Sequence, residues 1–178
     1  MSKKCRRLCL GLTLLEALIT ITVLGILGAI ALPAFSSMRE TIRLKGATEA
    51  VLTSLRLAKS ESIKRNRNVS VTFRTSGNVW CFGYSQGAPC DCKLLSSCVV
   101  DDVEHRWDHT LHPDITLASN VSGNRFSFQP SRGTVTAGNV QLTAPSGKAL
   151  RVVVSGLGRI RTCSPRGVGK VVGYPDCG

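Results

Sequence analysis

Signatures of catalysis are scarce in this sequence. The spacing G-x-S-x-G occurs at residues 83–87, but no helix is expected after it, and the nucleophile elbow of a hydrolase requires one. No cysteine is evidently paired with a histidine as a nucleophile. The tail contains Gly167-Val168-Gly169-Lys170, which only partly matches a phosphate-binding loop. Ser164 stands where the first glycine belongs, and Val171 replaces the Ser or Thr that binds magnesium. We therefore expect that the protein is not an enzyme and uses no cofactor.

Acidic and aromatic residues are also few. The chain has 11 Asp and Glu against 23 Lys and Arg, a formal net charge of +12, and only 5% of its residues are aromatic. A basic excess favours anionic partners or attraction to a membrane surface, and charge alone does not separate the two. We find no helix-turn-helix, zinc finger or aromatic stacking platform, so any binding of nucleic acid should depend on phosphate and not on sequence.

The histidines and cysteines lack the sequence spacing that a metal site requires. His105, His109 and His112 would face a common ion only if their segment were helical, and Pro113 with its polar surroundings favours a loop. The cysteines lack the paired C-x₂-C spacing of structural zinc sites. We expect no metal site.

The N-terminus carries a basic run followed by a long apolar stretch. Residues 3–7 contain four Lys and Arg. Apolar residues then dominate for about 21 residues through Leu32, enough to span a bilayer. A secretory signal peptide has a shorter apolar region that ends in small residues. The basic run favours a cytoplasmic N-terminus, so a single pass through the inner membrane would place the C-terminal domain in the periplasm.

The start of the apolar stretch contains a recognisable motif. Gly11 followed by Leu12-Thr13-Leu14-Leu15-Glu16 resembles the prepilin-peptidase signature of type IV pilins and pseudopilins, although most members have Phe at the position of Leu12. The resemblance implies that prepilin peptidase removes residues 1–11 as a leader, cutting after Gly11, and that Leu12 is then N-methylated. Loss of the four leader cations would lower the net charge from +12 to about +8.

Glu16 is the single charge within the apolar stretch. A carboxylate at bilayer depth costs about 2.5–3.5 kcal/mol, so an intramembrane Glu is expected to have a function. After processing, the free amine of Leu12 could pair with Glu16 of a neighbouring pilin and offset the buried charge during filament assembly. The alternative is a plain signal anchor with an accidental Glu.

Six of the eight cysteines lie beyond the leader, an even number that indicates disulfides in an exported chain. We expect Cys163 to pair with Cys177, which would fasten the C-terminal tail to itself. The remaining four would pair locally, in a connectivity that the sequence leaves open: Cys81, Cys90, Cys92 and Cys98.

A long helix should follow the motif. Residues 12–34 would form its transmembrane or filament-core half. A stripe of apolar and small residues at steps of three and four, from Leu44 to Ser62, predicts an amphipathic half over 35–67. Pro33 falls where pilins often carry a helix-kinking proline. A helix over 12–66 would be about 80 Å long, kinked at Pro33.

The C-terminal domain, residues 68–178, should be rich in strands. Short alternating runs broken by Gly, Asn, Ser and Pro predict them at 69–73, 125–128, 140–143, 150–154 and 157–161. The cysteine-rich stretch 85–114 is expected to be a long loop or an insertion. Strands packed on one helix give an α+β fold with a largely antiparallel sheet.

The strand region also resembles a family. Phe126-Ser127-Phe128-Gln129-Pro130 with Gly133, then Val152-Val153-Val154 and Gly158-Arg159-Ile160-Arg161, resemble the FimT/GspH family of minor pilins and pseudopilins. This likeness covers nearly the whole mature chain, with loose motifs outside the N-terminus. Its FimT branch, which serves natural transformation, carries a Gly-Arg-x-Arg element that binds DNA. Gly158, Arg159 and Arg161 match that element.

The two arginines have a spacing suited to phosphate. On a strand, side chains two residues apart share a face about 6.6 Å apart, so Arg159 and Arg161 would point one way and Ile160 into the sheet. A guanidinium can bind an anion bidentately. Arg166 and Lys170 would extend the surface if the tail disulfide held the tail against the same face. Affinity should fall steeply with salt.

Two functions stay open. The first is a minor type IV pilin that binds extracellular DNA without sequence preference, for uptake in natural transformation. It would reside in the inner membrane and then, with other pilins, in the pilus at the cell surface. The second is a structural minor pilin, or an H-type pseudopilin of type II secretion, at a filament tip, with its arginines forming an ordinary exposed face. Binding of another polyanion, such as a surface polysaccharide, is a third possibility.

Overall fold

The computed structural model describes residues 13–130, 134–167 and 169–178, with the side chains of 31–34 outside that description. The chain divides into two compact units, residues 1–38 and residues 39–178. One helix, α1 (Leu14–Arg65), contributes its first part to the N-terminal unit and its second part to the C-terminal unit.

The first part of α1 is long and apolar enough to cross a membrane, judged by length and composition. Its large apolar side chains are exposed, which is consistent with membrane anchoring. The hydroxyl of Thr13 accepts a hydrogen bond of 3.2 Å from the backbone N–H of Glu16, as a helix-capping side chain does. Pro33 lies within the helix, and the kink expected there stays a prediction.

The second part of α1 is amphipathic, as its sequence predicts. Leu44, Val51 and Leu55 are completely buried, and so are Ala47 and Ala58 on the same face. These side chains share one hydrophobic core with residues of both large sheets. The three-and-four spacing of the stripe therefore determines which face of the helix is buried.

Ion pairs fix the C-terminal end of α1. Arg65 donates hydrogen bonds to both carboxylate oxygens of Asp101, and its Nε lies 2.5 Å from Glu61. The bonds from Arg65 hold the pKa of Asp101 and the pKa of Glu61 below their usual values. The positive charge of Arg65 is therefore neutralised within the fold.

The rest of the described chain contains ten strands and two short 3-10 helices, His109–Leu111 and Ser122–Asn124. The strands are β1 (Val69–Ser76), β2 (Val79–Gln86), β3 (Val99–Val100), β4 (Val103–Glu104), β5 (Arg106–Asp108), β6 (Thr116–Ser119), β7 (Arg125–Phe128), β8 (Gly138–Thr143), β9 (Ala149–Val154) and β10 (Ile160–Cys163).

Two four-stranded sheets and one small hairpin contain these strands. The order in the first sheet is β5-β2-β1-β7, and the order in the second is β10-β9-β8-β6. Strands β3 and β4 pair with each other. Every pairing is antiparallel, so the α+β class with a long N-terminal helix and antiparallel sheets is confirmed.

The core of the first sheet is aromatic. The ring of Phe73 meets that of Phe126 edge-on at 5.9 Å, and the ring of Phe82 stacks on that of Trp107 at 5.3 Å. Trp80 is buried and donates its indole N–H to the carbonyl of Ile115 at 2.5 Å. Most of the few aromatic residues therefore stabilise the interior and are not available to a ligand.

The cysteine-rich stretch is more ordered than its sequence predicts. It was expected to be irregular over 85–114, yet it contains β3, β4 and β5. One disulfide joins Cys81 of β2 to Cys92, and a second joins Cys90 to Cys98 within the stretch, so the stretch is tied to β2 and also cross-linked internally. A Cβ on Gly83 would lie 2.5 Å from the sulfur of Cys98, and this close approach requires glycine.

Candidate nucleic-acid interface

A tight turn joins β9 to β10 and carries the Gly-Arg-x-Arg element. The N–H of Gly158 donates to the carbonyl of Ser155 at 2.8 Å, and the N–H of Ser155 donates to the carbonyl of Arg159 at 3.0 Å. Gly158 has a φ of +71°, in the left-handed region that favours glycine. The local sequence therefore folds into a closed turn that presents Arg159 at its end.

The turn corrects one expected boundary. The sequence predicted a strand over 157–161, whereas β10 begins at Ile160 and ends at Cys163. The positive φ of Gly158 is incompatible with extended backbone, so residues 157–159 belong to the turn. The alternation of side chains nevertheless holds: Arg159 and Arg161 are exposed, while Ile160 packs against the core.

One cleft contains both arginines. It has a volume of about 370 Å³ and is lined by Arg159 and Arg161 together with Val153, Ser155 and Leu157. Within the described part of the chain, neither guanidinium forms an ion pair with a carboxylate. Two uncompensated cations on an exposed face can attract an anion without first breaking an internal bond.

A second cleft lies on the other side of Arg159, against α1. Its volume is about 420 Å³, and its lining includes Arg56, Lys59 and Arg159. The ammonium of Lys59 donates to the carbonyl of Gly158 at 2.8 Å and thereby ties the helix to the turn. Sequence periodicity assigns Arg56 and Lys59 to the polar face of the helix, and it contains no signal that this face meets Arg159.

The C-terminal tail lies at the other end of β10. Cys163 and Cys177 form a disulfide, which is the expected pair. Ser164 is buried, donates to the carbonyl of Ala149 and accepts the N–H of Val171, so the tail packs against the beginning of β9. The arginines, by contrast, lie beside the end of β9, where Arg161 pairs with Val153.

The two basic residues of the tail are not brought together with the arginines. Neither Arg166 nor Lys170 lines either cleft that contains Arg159. Lys170 forms an ion pair with Asp176 at 2.7 Å. This hydrogen bond holds the pKa of Asp176 below its usual value, with the charge of Arg166 as a smaller cause. One carboxylate therefore pairs with one of the two basic side chains of the tail, and Arg166 stays exposed.

The remaining candidate residues from the sequence are those for processing, assembly and metal binding. Glu16 lies in the first turn of α1. Gly11 and Leu12, the expected processing site, and Gly133 of the family pattern lie outside the described residues. Across 13–130, 134–167 and 169–178, no three His, Cys, Asp or Glu side chains are grouped so that they could hold a metal ion.

Solved structures resemble the fold. The minor pseudopilin EpsH from the type 2 secretion system of Vibrio cholerae is 15% identical, with a TM-score of 0.50 over 70% of this chain and 99% of its own. The type IV minor pilin FimU of Pseudomonas aeruginosa is 18% identical in one crystal form, with a TM-score of 0.51 over 75% of this chain and 98% of its own. At these identities the likeness concerns the fold alone.

A family model matches more than half of the sequence. The model for the type II transport protein GspH covers residues 47–158, from the buried face of α1 to the glycine of the β9–β10 turn. Curated protein sequences give no significant match. The match ends immediately before Arg159, so the arginine pair lies just outside the shared part. The chain belongs to the family of the type II transport protein GspH.

Proposed function

We propose that this protein is a minor type IV pilin that binds extracellular DNA for uptake in natural transformation. The observation that carries the proposal is the exposure of Arg159 and Arg161 in one cleft, without a carboxylate partner among the described residues. Duplex DNA presents a phosphate about every 3.4 Å along each strand, so two neighbouring guanidiniums can bind phosphates of one strand.

The turn favours binding because it reduces the freedom of the arginines before DNA arrives. Ser155 and Gly158 close the turn through backbone hydrogen bonds, and Lys59 holds the carbonyl of Gly158 from the helix. A backbone that is already ordered loses less conformational entropy on binding. Contacts to phosphate carry no sequence information, so binding is independent of DNA sequence and sensitive to salt.

The N-terminal part supplies export and assembly in this proposal. Prepilin peptidase removes residues 1–11 and Leu12 is methylated, after which residues 12–34 anchor the chain in the inner membrane with the domain in the periplasm. Glu16 then pairs with the terminal amine of a neighbouring pilin as the chain enters the filament. The domain of residues 68–178 consequently reaches the cell surface, where DNA is available.

A gel-shift comparison with duplex DNA tests the proposal. The full chain in a non-ionic detergent is compared with Arg159→Gln combined with Arg161→Gln. Lys93→Gln combined with Arg125→Gln removes the same charge from exposed positions outside both clefts. We expect the first pair to weaken binding at least tenfold and the control pair to have little effect. Equal affinities of the two variants would exclude the arginine site.

The alternative is a structural subunit without DNA binding, in a pilus tip or in a type II secretion pseudopilus. The match to the GspH family model favours it, because that match ends before the arginines. A gene deletion identifies a secretion pseudopilin, because its loss should abolish protein secretion and leave transformation normal. For a pilus subunit, chromosomal Arg159→Gln with Arg161→Gln separates the two functions: a pilin that captures DNA loses transformation while pili still assemble, whereas a structural tip subunit retains both.

A further inference from the structure

Arg159 lies between two clefts, and only the one with a volume of about 370 Å³ contains Arg161. We infer that the DNA-binding surface continues through the second cleft onto α1, where Arg56 binds a further phosphate of the same duplex. This inference rests on the proposed function and extends it. It adds a residue that lies about one hundred positions earlier in the chain, on a different element.

The charge of the second cleft supports this extension. Its lining comes from α1 through Arg56, Lys59, Ser60 and Ile63, and from the segment 158–160. Of these described lining residues, three have cationic side chains and none has a carboxylate. A cleft that contains only one sign of charge concentrates counter-ions, and the opening of about 420 Å³ can admit part of a phosphodiester chain.

Arg56 differs from Arg65 on the same helix. Arg65 is bound by Glu61 and Asp101. Arg56 is exposed, and it has no carboxylate partner in the part of the chain that the structure describes. Binding of phosphate to Arg56 therefore breaks no internal ion pair.

The helix and the turn are also held together. The bond from Lys59 to the carbonyl of Gly158 spans the cleft at 2.8 Å, and Ile160 packs against the core that α1 helps to form. Positions 56, 59, 60 and 63 follow steps of three and four, so their side chains share one face of the helix. Arg56 and Arg159 therefore face the same cleft from two elements whose separation is fixed.

Phosphate is a better match to this cleft than a base. Among the residues that the structure describes, no aromatic side chain lines it, so they offer no surface for stacking a base there. Arg56 can bind phosphate bidentately, and the hydroxyl of Ser60 can donate one more hydrogen bond. The ligand is consequently the backbone of the duplex that Arg159 and Arg161 bind.

The salt dependence of binding tests the inference. The full chain in a non-ionic detergent is titrated with a 30-base-pair duplex of mixed sequence at 50 and 200 mM monovalent salt. Each phosphate contact contributes about 0.9 to the slope of log affinity against log salt, which is about 3.5-fold over this range. We expect the loss of affinity between the two salts to be about 3.5-fold smaller for Arg56→Gln than for the unmodified chain. Arg56→Lys keeps the charge, and Lys93→Gln lies outside the cleft, so both should show the same loss of affinity as the unmodified chain.

The outcomes distinguish this inference from the proposed function. If the unmodified chain does not bind DNA, or if Arg159→Gln with Arg161→Gln binds normally, the proposed function fails. If the double variant is weakened while Arg56→Gln retains the full salt dependence, the proposed function stands and the contact by Arg56 is refuted. Because Arg56 is exposed, its substitution should leave the fold intact, which thermal unfolding monitored by circular dichroism verifies.

Discussion

Two basic regions lie at opposite ends of β10, and they differ in how their charges are used. At its start, Arg159 and Arg161 are exposed in a cleft without an internal carboxylate partner among the described residues. Beyond its end, Lys170 is paired with Asp176 in a tail closed by a disulfide. Two cations thus lie in each region, but in the tail Asp176 pairs with one of them, Lys170, and leaves Arg166 without a carboxylate partner among the described residues. Pairing, and not the number of basic residues, determines where a polyanion can bind.

The largest expected effect is a loss of stability on removal of the tail disulfide, with DNA binding retained. Cys163→Ala with Cys177→Ala opens a disulfide with a sequence separation of 14 residues. Its loss should lower the free energy of unfolding by about 3 kcal/mol, because the unfolded chain regains the conformations that the loop excludes. Urea unfolding measures this change, and the salt dependence of DNA binding should persist. Loss of DNA binding by the folded variant would place the tail in the interface.

The next effect concerns the bond that ties the turn to the helix. Lys59→Met removes the ammonium that donates to the carbonyl of Gly158, and Gly158 is buried. The substitution should therefore lower the free energy of unfolding by about 1.5–3 kcal/mol. Urea unfolding of Lys59→Met is compared with that of Lys64→Met. Lys64 is a suitable control because it is highly exposed and lies 4.0 Å from its carboxylate partner Glu61, so its loss should change stability little. Equal stabilities of the two variants would mean that Lys59 does not hold the turn.

A smaller effect tests the conformation of the turn. Gly158→Ala places a Cβ at a φ of +71° and should cost about 1–2 kcal/mol in unfolding free energy. Gly156→Ala, in the same turn, is a matched control because a Cβ there would have its nearest contact at 4.0 Å. Chemical denaturation of both variants is the measurement. A loss of stability at Gly156 equal to that at Gly158 would contradict the role of the left-handed conformation.

The smallest expected effect tests whether the ion pair between Lys170 and Asp176 prevents the tail from binding DNA. Asp176→Asn releases Lys170, and the slope of log affinity against log salt should then rise by at most about 0.9 if DNA reaches the tail. Because the bond from Lys170 lowers the pKa of Asp176, this carboxylate stays ionised between pH 5 and 8, so the unmodified chain should show no such gain across that range. A slope that decreases on substitution would mean that the ion pair itself supports binding.

The helix and several strands can be predicted from the sequence more accurately than the rest of the fold. The stripe from Leu44 to Ser62 predicts the buried face of α1 because that face follows the helical period. Strand β2 is not predicted because six consecutive residues, Trp80 to Ser85, are buried, so buried and exposed positions do not alternate along it. The strand expected over 157–161 was misplaced because the backbone of Gly158 cannot be deduced from composition.

The candidate site was only partly predictable. Arg159 and Arg161 are detectable because they lie two residues apart in a strand-like alternation and match the Gly-Arg-x-Arg element. Arg56 is not detectable, because its proximity to Arg159 depends on how α1 packs against the second sheet. Pairing of Lys170 with Asp176 likewise depends on the path of the tail. Contacts between residues distant in sequence require the folded structure, and they decide which cations are free.

The salt dependence of duplex binding shows whether Arg159 and Arg161 contact phosphate. Between 50 and 200 mM salt, Arg159→Gln with Arg161→Gln should reduce the loss of affinity by about 12-fold relative to the unmodified chain, because two phosphate contacts of about 3.5-fold each are removed. Lys170→Gln should leave the salt dependence unchanged, since that cation is already paired. The opposite result, with the tail variant altered and the arginine variant unchanged, would contradict the account.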